Sequence, residues 1–347
     1  MRKRLEKILL MILLAALAFS SAAGELVDEG TETVIDETLV VSEKDGYHFN
    51  AKGFLIGENP GDTYLLEDEE NGIWEYSDAH LSVRIRRYTD PVEKTKKSKA
   101  ATRLYCVAEV YASAESPLFS IMTEAAGKRP GGYTRLDPEK LVAKYPAVFA
   151  VSDDYYGYRQ YTRDVKGSSW PTGIVIRNGE ILYEKTRNSA KKRPFPPLDT
   201  LAVYGNGRMK SFTSDEYTAQ EYIEQGAVQV FSFGPWLIRN GEVNETEAGE
   251  KAVYLKNTEP RCAIGMVQPY HYILIVVGIP NGKYRGANGE WLVNKLLEYG
   301  CTEGFNLDGG GTACMVFNGK ILIHGRWDEE HRSLGSMIAF GKLDAFH

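Results

Sequence analysis

Three times in this chain an apolar run meets Asn-Gly and a second strand-like run leaves it. The segments are Ile174 to Leu182, Trp236 to Val243 and Met315 to Leu322, with the pairs Asn178-Gly179, Asn240-Gly241 and Asn318-Gly319 at their centres. Asn followed by Gly suits the two positive-φ positions of a type I′ turn, whose twist matches that of the strands it joins. Each segment therefore predicts a β-hairpin. Three such hairpins call for largely antiparallel sheets, and no fixed repeat period separates them as a propeller or solenoid would require.

Helical signals are few and lie between the hairpins. Pro138 to Tyr145 reads as a short helix. Ser214 to Gln225 opens with a capping residue and acids in its first turn and stops at Gly226. Trp291 to Tyr299 places Leu292, Leu296 and Tyr299 on one face and stops at Gly300. Helices interspersed among hairpins predict an α+β fold, largely antiparallel sheets with a few packed helices.

The first residues bear on compartment. Arg2, Lys3, Arg4 and Lys7 precede a wholly apolar run from Ile8 to Phe19, and Ser20 to Ala23 are small. A basic start, a short apolar core and small residues make a secretory signal over residues 1–23, too short for the ~20 residues of a comfortable membrane span. An uncleaved segment would be the chain's one attachment to a membrane. An extracytoplasmic, secreted or envelope-associated location follows as an expectation. Glu25 to Glu43 is acidic and aperiodic, so residues 24–52 read as a disordered tether. Residues 53–100 then form a β-rich segment, in which Leu81 to Ile85 alternates as a half-buried strand should. Residues 101–347 form the main domain. The lysines between Asp90 and Lys99 read as a solvated hairpin tip.

The net charge is −6, with no basic stripe interleaved with aromatics, so nucleic acid is not expected as a partner. Oligomeric state is left open. Cys106, Cys262, Cys301 and Cys314 are too few for a disulfide scaffold. Free buried thiols and one Cys262–Cys314 bridge both remain open. His271, His324 and His331 lack ligand spacing, and no cofactor or metal ion is expected.

The chemistry concentrates at Asn306-Leu307-Asp308-Gly309-Gly310-Gly311-Thr312. Consecutive glycines are entropically costly, so they persist where a backbone turns sharply or something approaches it closely. A carboxylate at a strand end beside such a loop suits catalysis, and backbone N–H groups there could meet an anion. A tight bulge with Asp308 capping its own turn is the alternative. Three further segments carry polar residues that strand grammar does not demand. Asp153, Asp154, Tyr155 and Arg159 lie in the segment Ala150 to Arg159 that follows the strand-like Ala147 to Phe149, where they could orient a sugar and hold an anion. Arg261 opens an apolar strand and could clamp a phosphate bidentately. Ser232 to Pro235 reads as a structural corner.

Taken in order, Phe149 to Arg159, Phe231 to Gly241, Arg261 to Gly265 and Asn306 to Thr312 resemble the phosphodiester glycosidase family, over roughly residues 100–341. The resemblance implies hydrolysis of a sugar-1-phosphodiester at its anomeric bond, with a sugar phosphate or polysaccharide as substrate. It implies Asp308 as the carboxylate serving the anomeric carbon, with Asp154 as the second carboxylate and Asp153 its fallback. Arg261 and Arg159 would meet the phosphate, and Asn306, Tyr155, Gly309, Gly310 and Thr312 would complete substrate binding. Two departures stand out. Ser152 replaces an asparagine usual in the family, and Gly278 to Lys283 lacks the arginine common there, leaving Lys283 or Arg285 to substitute. A carbohydrate-binding or envelope-assembly module without turnover is the competing expectation.

Overall fold

The computed structural model describes residues 37–93, 102–125, 133–154, 173–185, 198–214, 216–244, 255–326 and 331–341. The signal-like stretch over residues 1–23 lies outside them. Among the described residues every strand pairing is antiparallel. Three sheets carry the fold. The largest has nine strands, ordered Glu242–Val243, Trp236–Arg239, Glu303–Leu307, Arg261–Gln268, His271–Gly278, Thr102–Tyr111, Ser82–Pro91, Ile73–Ser77 and Tyr64–Asp68. A five-stranded sheet runs Glu180–Lys185, Gly173–Arg177, Ala227–Phe233, Asp199–Tyr204 and Met209–Phe212. The other five-stranded sheet runs Lys320–His324, Cys314–Phe317, Ala147–Ser152, Ser336–Gly341 and Phe119–Met122.

One apolar core joins all three. Ile85, Ile264 and Leu307 from the large sheet meet Leu201 and Phe231 from the second and Phe149, Met315 and Phe340 from the third. The outward faces are covered by short helices. Gly289–Glu298 sets Leu292 and Leu296 against Ala263, Ile273 and Ile275. Pro138–Val142 covers the third sheet through Leu141 and Val142, and Ala219–Glu224 covers the second through Ala219 and Tyr222. Each begins at a side-chain cap: Asp137, Asn288, and Thr218 in a reciprocal capping box with Glu221. Strand His271–Gly278, buried between core and helix, is accordingly an unbroken apolar run rather than an alternating one.

The three Asn-Gly pairs take positive φ, 52° and 81° at Asn178-Gly179, 52° and 80° at Asn240-Gly241, 46° and 76° at Asn318-Gly319. The helix expected from Ser214 begins only at Ala219, after the Thr218 cap, and two domain boundaries also differ from expectation. The stretch read as a tether to residue 52 contains a hairpin, Ser42–Lys44 with Tyr47–Phe49, turned by Asp45-Gly46 at φ 53° and 80°. Phe49 is held by Leu55 and Tyr64, contacts that composition does not reveal. The boundary expected at residue 100 falls inside the nine-stranded sheet, where Ser82–Pro91 pairs with Thr102–Tyr111 along its whole length. All four cysteines are buried and free, and burial pushes the thiols of Cys106, Cys262 and Cys301 up to about 12.

Candidate active site

The ends of two sheets are joined at Asp308. Strand Glu303–Leu307 delivers Asp308 out of the nine-stranded sheet, and Ala147–Ser152 delivers Asp153 and Asp154 out of the third sheet. The Asp308 N–H donates to the Asp153 carbonyl at 2.9 Å. Ser152, fully buried, donates through Oγ to the Asp308 carbonyl at 3.4 Å and accepts from the Cys314 N–H at 3.4 Å. The departure at Ser152 thus sits directly beneath the Asp308 backbone. Asp308 itself is half-buried, whereas Asp153 and Asp154 are 3% and 1% exposed.

Arg177 holds that acid pair, and the sequence analysis passed over it. Its Nη2 reaches Asp154 Oδ2 at 2.8 Å and Asp153 Oδ2 at 3.4 Å. Its Nη1 donates to the carbonyls of Val230 (2.6 Å) and Ile176 (3.1 Å), and the guanidinium lies 4.4 Å from the centre of the Phe231 ring. Asp154 also accepts from the Ser232 N–H at 3.4 Å, so Ser232 to Pro235 bears on the acid pair as well as turning the chain. In sequence Arg177 is the polar residue ahead of an Asn-Gly turn, where a solvated side chain is ordinary. Only the phase it shares with buried Val175 hints that it points inward.

Each glycine of the triplet answers a different demand. A Cβ on Gly309 would lie 2.5 Å from the Pro260 carbonyl oxygen. Gly310 has φ 57°, and its N–H is committed to that same carbonyl at 2.8 Å. A Cβ on Gly311 would lie 3.0 Å from Arg332 Nη2 and 3.4 Å from Arg326 Cγ. Thr312, 3% exposed, accepts from Arg332 Nη1 at 2.9 Å. Gly325 backs the loop so closely that a Cβ there would stand 1.8 Å from the Gly310 oxygen. Beside this loop is a cavity of about 290 Å³, lined by Gly310, Gly311, Gly325, Pro260, Ile279, Glu259 and the two arginines.

The other anticipated residues are dispersed. Arg261 is buried, with Nε donating to the Ala287 carbonyl (3.1 Å) and Nη2 to that of Asn257 (2.8 Å); burial pulls its pKa down, with Glu259 opposing. It ties the 255–288 stretch to its strand, in phase with Ala263 on the helix-covered face. Asn306 is 2% exposed and donates to the Gly234 carbonyl at 2.8 Å, while its Oδ1 has no hydrogen-bond partner among the described residues. Arg285 is turned away, its Nη1 on the Glu93 carbonyl at 3.0 Å, and Lys283 is exposed. Tyr155 and Arg159 lie outside the described residues.

The phosphodiester glycosidase family model matches residues 145–341, which run from the strand bearing Asp153 and Asp154 to the last strand of the third sheet. The chain belongs to the phosphodiester glycosidase family. Its fold is similar to that of the zebrafish N-acetylglucosamine-1-phosphodiester alpha-N-acetylglucosaminidase catalytic domain, auto-inhibited by its pro-peptide. That match has a TM-score of 0.52 at 16% identity and covers 76% of this chain and 89% of that one. The chain is also 26% identical over 163 residues to the SPbeta prophage-derived uncharacterized protein YomE of Bacillus subtilis (strain 168), which is 46% of this chain and 24% of that protein. The match therefore spans about a quarter of that relative's length.

Proposed function

We propose that this chain is an extracytoplasmic hydrolase that cleaves the glycosidic bond of a sugar-1-phosphodiester, with Asp308 as the carboxylate at the anomeric carbon. One observation carries the reading. Asp308 is seated at the joined ends of two sheets, fixed through its own N–H and carbonyl by Asp153 and Ser152, beside a side-chain-free loop and a cavity flanked by cations. Fixing the backbone on both sides pre-orients the carboxylate before substrate arrives, which lowers the entropic cost of reaching the transition state.

The reaction makes two demands. As the anomeric C–O bond lengthens, the sugar acquires oxocarbenium character that a nearby carboxylate stabilises or traps. Asp308 meets this demand, as nucleophile or as base toward water. The bridging oxygen departs with the bonding electrons as part of a phosphate monoester, and water supplies the hydroxyl and proton that complete the products. A phosphate leaves readily without a proton donor, so a single carboxylate suffices if its charge is compensated. This changes the part expected of Asp154. At 1% exposure and bound by Arg177, it acts with Asp153 as a positioning residue that holds the loop under Asp308. Asn306, tied to the Gly234 carbonyl, plays the same supporting part from the neighbouring strand.

An N-acetylglucosamine-1-phosphodiester, as borne by an exopolysaccharide or cell-wall polymer, is the substrate class that this chemistry suits. Incubation of the purified chain with a panel of sugar-1-phosphodiesters is expected to release free sugar, and Asp308→Asn to abolish release without lowering thermal stability. Binding of the same compounds without turnover by wild-type protein would instead favour a carbohydrate-binding module.

A further inference from the structure

We propose that Arg326 and Arg332 form the phosphate-recognising site of this chain, gripping the substrate phosphate over the Gly310–Gly311 main chain. This rests on the hydrolase reading for its biological meaning, but the anion site itself stands on separate geometry. A sugar-1-phosphodiester is charged before cleavage and more so after it, so its recognition needs cations within reach of Asp308. Two of the described cations anticipated for that task, Arg261 and Arg285, already serve backbone carbonyls. Arg261 serves the carbonyls of Ala287 and Asn257, Arg285 that of Glu93, and Lys283 follows the turn at Pro280–Gly282.

The cavity beside the glycine loop is lined by two further arginines. Gly310 follows Asp308 by two residues, so their Cα atoms are at most ~7.6 Å apart. Among the described residues lining the cavity, Arg326 and Arg332 stand against the single acid Glu259. Arg332 is oriented before any ligand arrives, because its Nη1 is bonded to the buried Thr312 hydroxyl at 2.9 Å. A planar guanidinium held by one edge is suited to bidentate contact with phosphate oxygens in a way a lysine is not. The missing side chain at Gly311 is what lets both arginines lie on the loop: a Cβ there would crowd Arg332 Nη2 at 3.0 Å. At about 290 Å³ the cavity lies at the small end of the ~300–1,000 Å³ typical of ligand sites, a size for a phosphate group rather than for an oligosaccharide. From the Gly278 to Lys283 stretch, Ile279 is the residue that lines the cavity.

The test is calorimetric titration of the full chain with inorganic phosphate and with N-acetylglucosamine 1-phosphate. Wild type, Arg326→Gln, Arg332→Gln, Arg332→Lys and Asp308→Asn are compared, each with its thermal melt. Loss of a charge-assisted pair of hydrogen bonds is expected to weaken binding of both probes about 10- to 100-fold in each glutamine variant. Arg332→Lys should recover part of the loss, and Asp308→Asn should still bind inorganic phosphate. With turnover, KM for a phosphodiester should rise far more than KM for a neutral aryl glycoside of the same sugar. Should Arg332→Gln fail to fold through loss of its Thr312 bond, Arg326→Gln decides the matter. Unchanged affinity in a folded Arg326→Gln variant, or a wild-type chain that binds neither probe, overturns the proposal. Phosphate binding lost in the arginine variants, with no phosphodiester hydrolysed by wild type, would sink the hydrolase reading while leaving the anion site standing.

Discussion

Replacing Arg177 by methionine isolates the interaction on which the Asp308 platform depends. Methionine keeps an apolar stem against Phe231 but removes the guanidinium that bonds Asp154 at 2.8 Å and Asp153 at 3.4 Å. Both carboxylates are at most 3% exposed, so water cannot take over. Removing one side of a buried charge pair costs ~3–5 kcal/mol, because the other side is left uncompensated in a poorly solvating interior. The Val230 carbonyl also loses its 2.6 Å donor, which pushes the cost toward the upper end. At ~2 °C per kcal/mol for a chain of this size, the melting temperature should fall by ~6–10 °C. The assay is urea unfolding at neutral pH, where a lower midpoint at unchanged slope reads a loss of stability. Neutralising the acids in the same background, with Asp153→Asn and Asp154→Asn, should return at least ~2 kcal/mol, since the penalty is uncompensated charge rather than lost volume. A loss under ~1 kcal/mol in Arg177→Met, or no recovery in the triple variant, would refute this reasoning.

Two further outcomes follow from particular contacts. Gly309→Ala sets a methyl 2.5 Å from the Pro260 oxygen and must displace the loop that carries Asp308. Turnover should fall at least ~10-fold while the core, and so the melt, is little altered; equal activity would remove the loop from the mechanism. At the far end of the large sheet, His271 Nε2 lies 2.9 Å from Glu109 Oε1, and this bond is the main influence holding Glu109 below its ordinary carboxylate value. A depressed folded value contributes stability above the unfolded pKa of ~4.3 that is lost as pH falls through the folded value. Glu109→Gln should therefore flatten the acid limb of stability between about pH 5 and pH 3, measured by urea midpoints, and parallel limbs would contradict it.

What could be read in the sequence was local. Asn-Gly pairs specify their own turns through chemistry confined to two residues, but helix starts were read less well: the cap expected at Ser214 is Thr218, four residues on. Asp308 stands out as a candidate for the same reason: a carboxylate and three glycines are contiguous. The supports of Asp308 were not legible, because they come from distant segments. Ser152 is 156 residues away along the chain, and Arg177 meets Asp153 across 24. Arg261 shows the limit most clearly. Its residue type suits a phosphate, but its phase on the strand turns it to the face that the Gly289–Glu298 helix covers, where backbone carbonyls take its donors. Arg326 and Arg332, proposed above for the phosphate, drew no notice in sequence because they lie in a polar stretch where arginines are unexceptional. They gain significance only when Gly311 brings the main chain against them.

The central claim is that the anomeric C–O bond is the one broken. Hydrolysis of a sugar-1-phosphodiester in heavy-oxygen water, quenched early and followed by mass spectrometry of both products, locates that bond directly. Attack at the anomeric carbon beside Asp308 is expected to place the label in the released sugar and to leave the phosphate monoester unlabelled. Label on phosphorus would show that the P–O bond breaks instead and would contradict a glycosidase mechanism centred on Asp308.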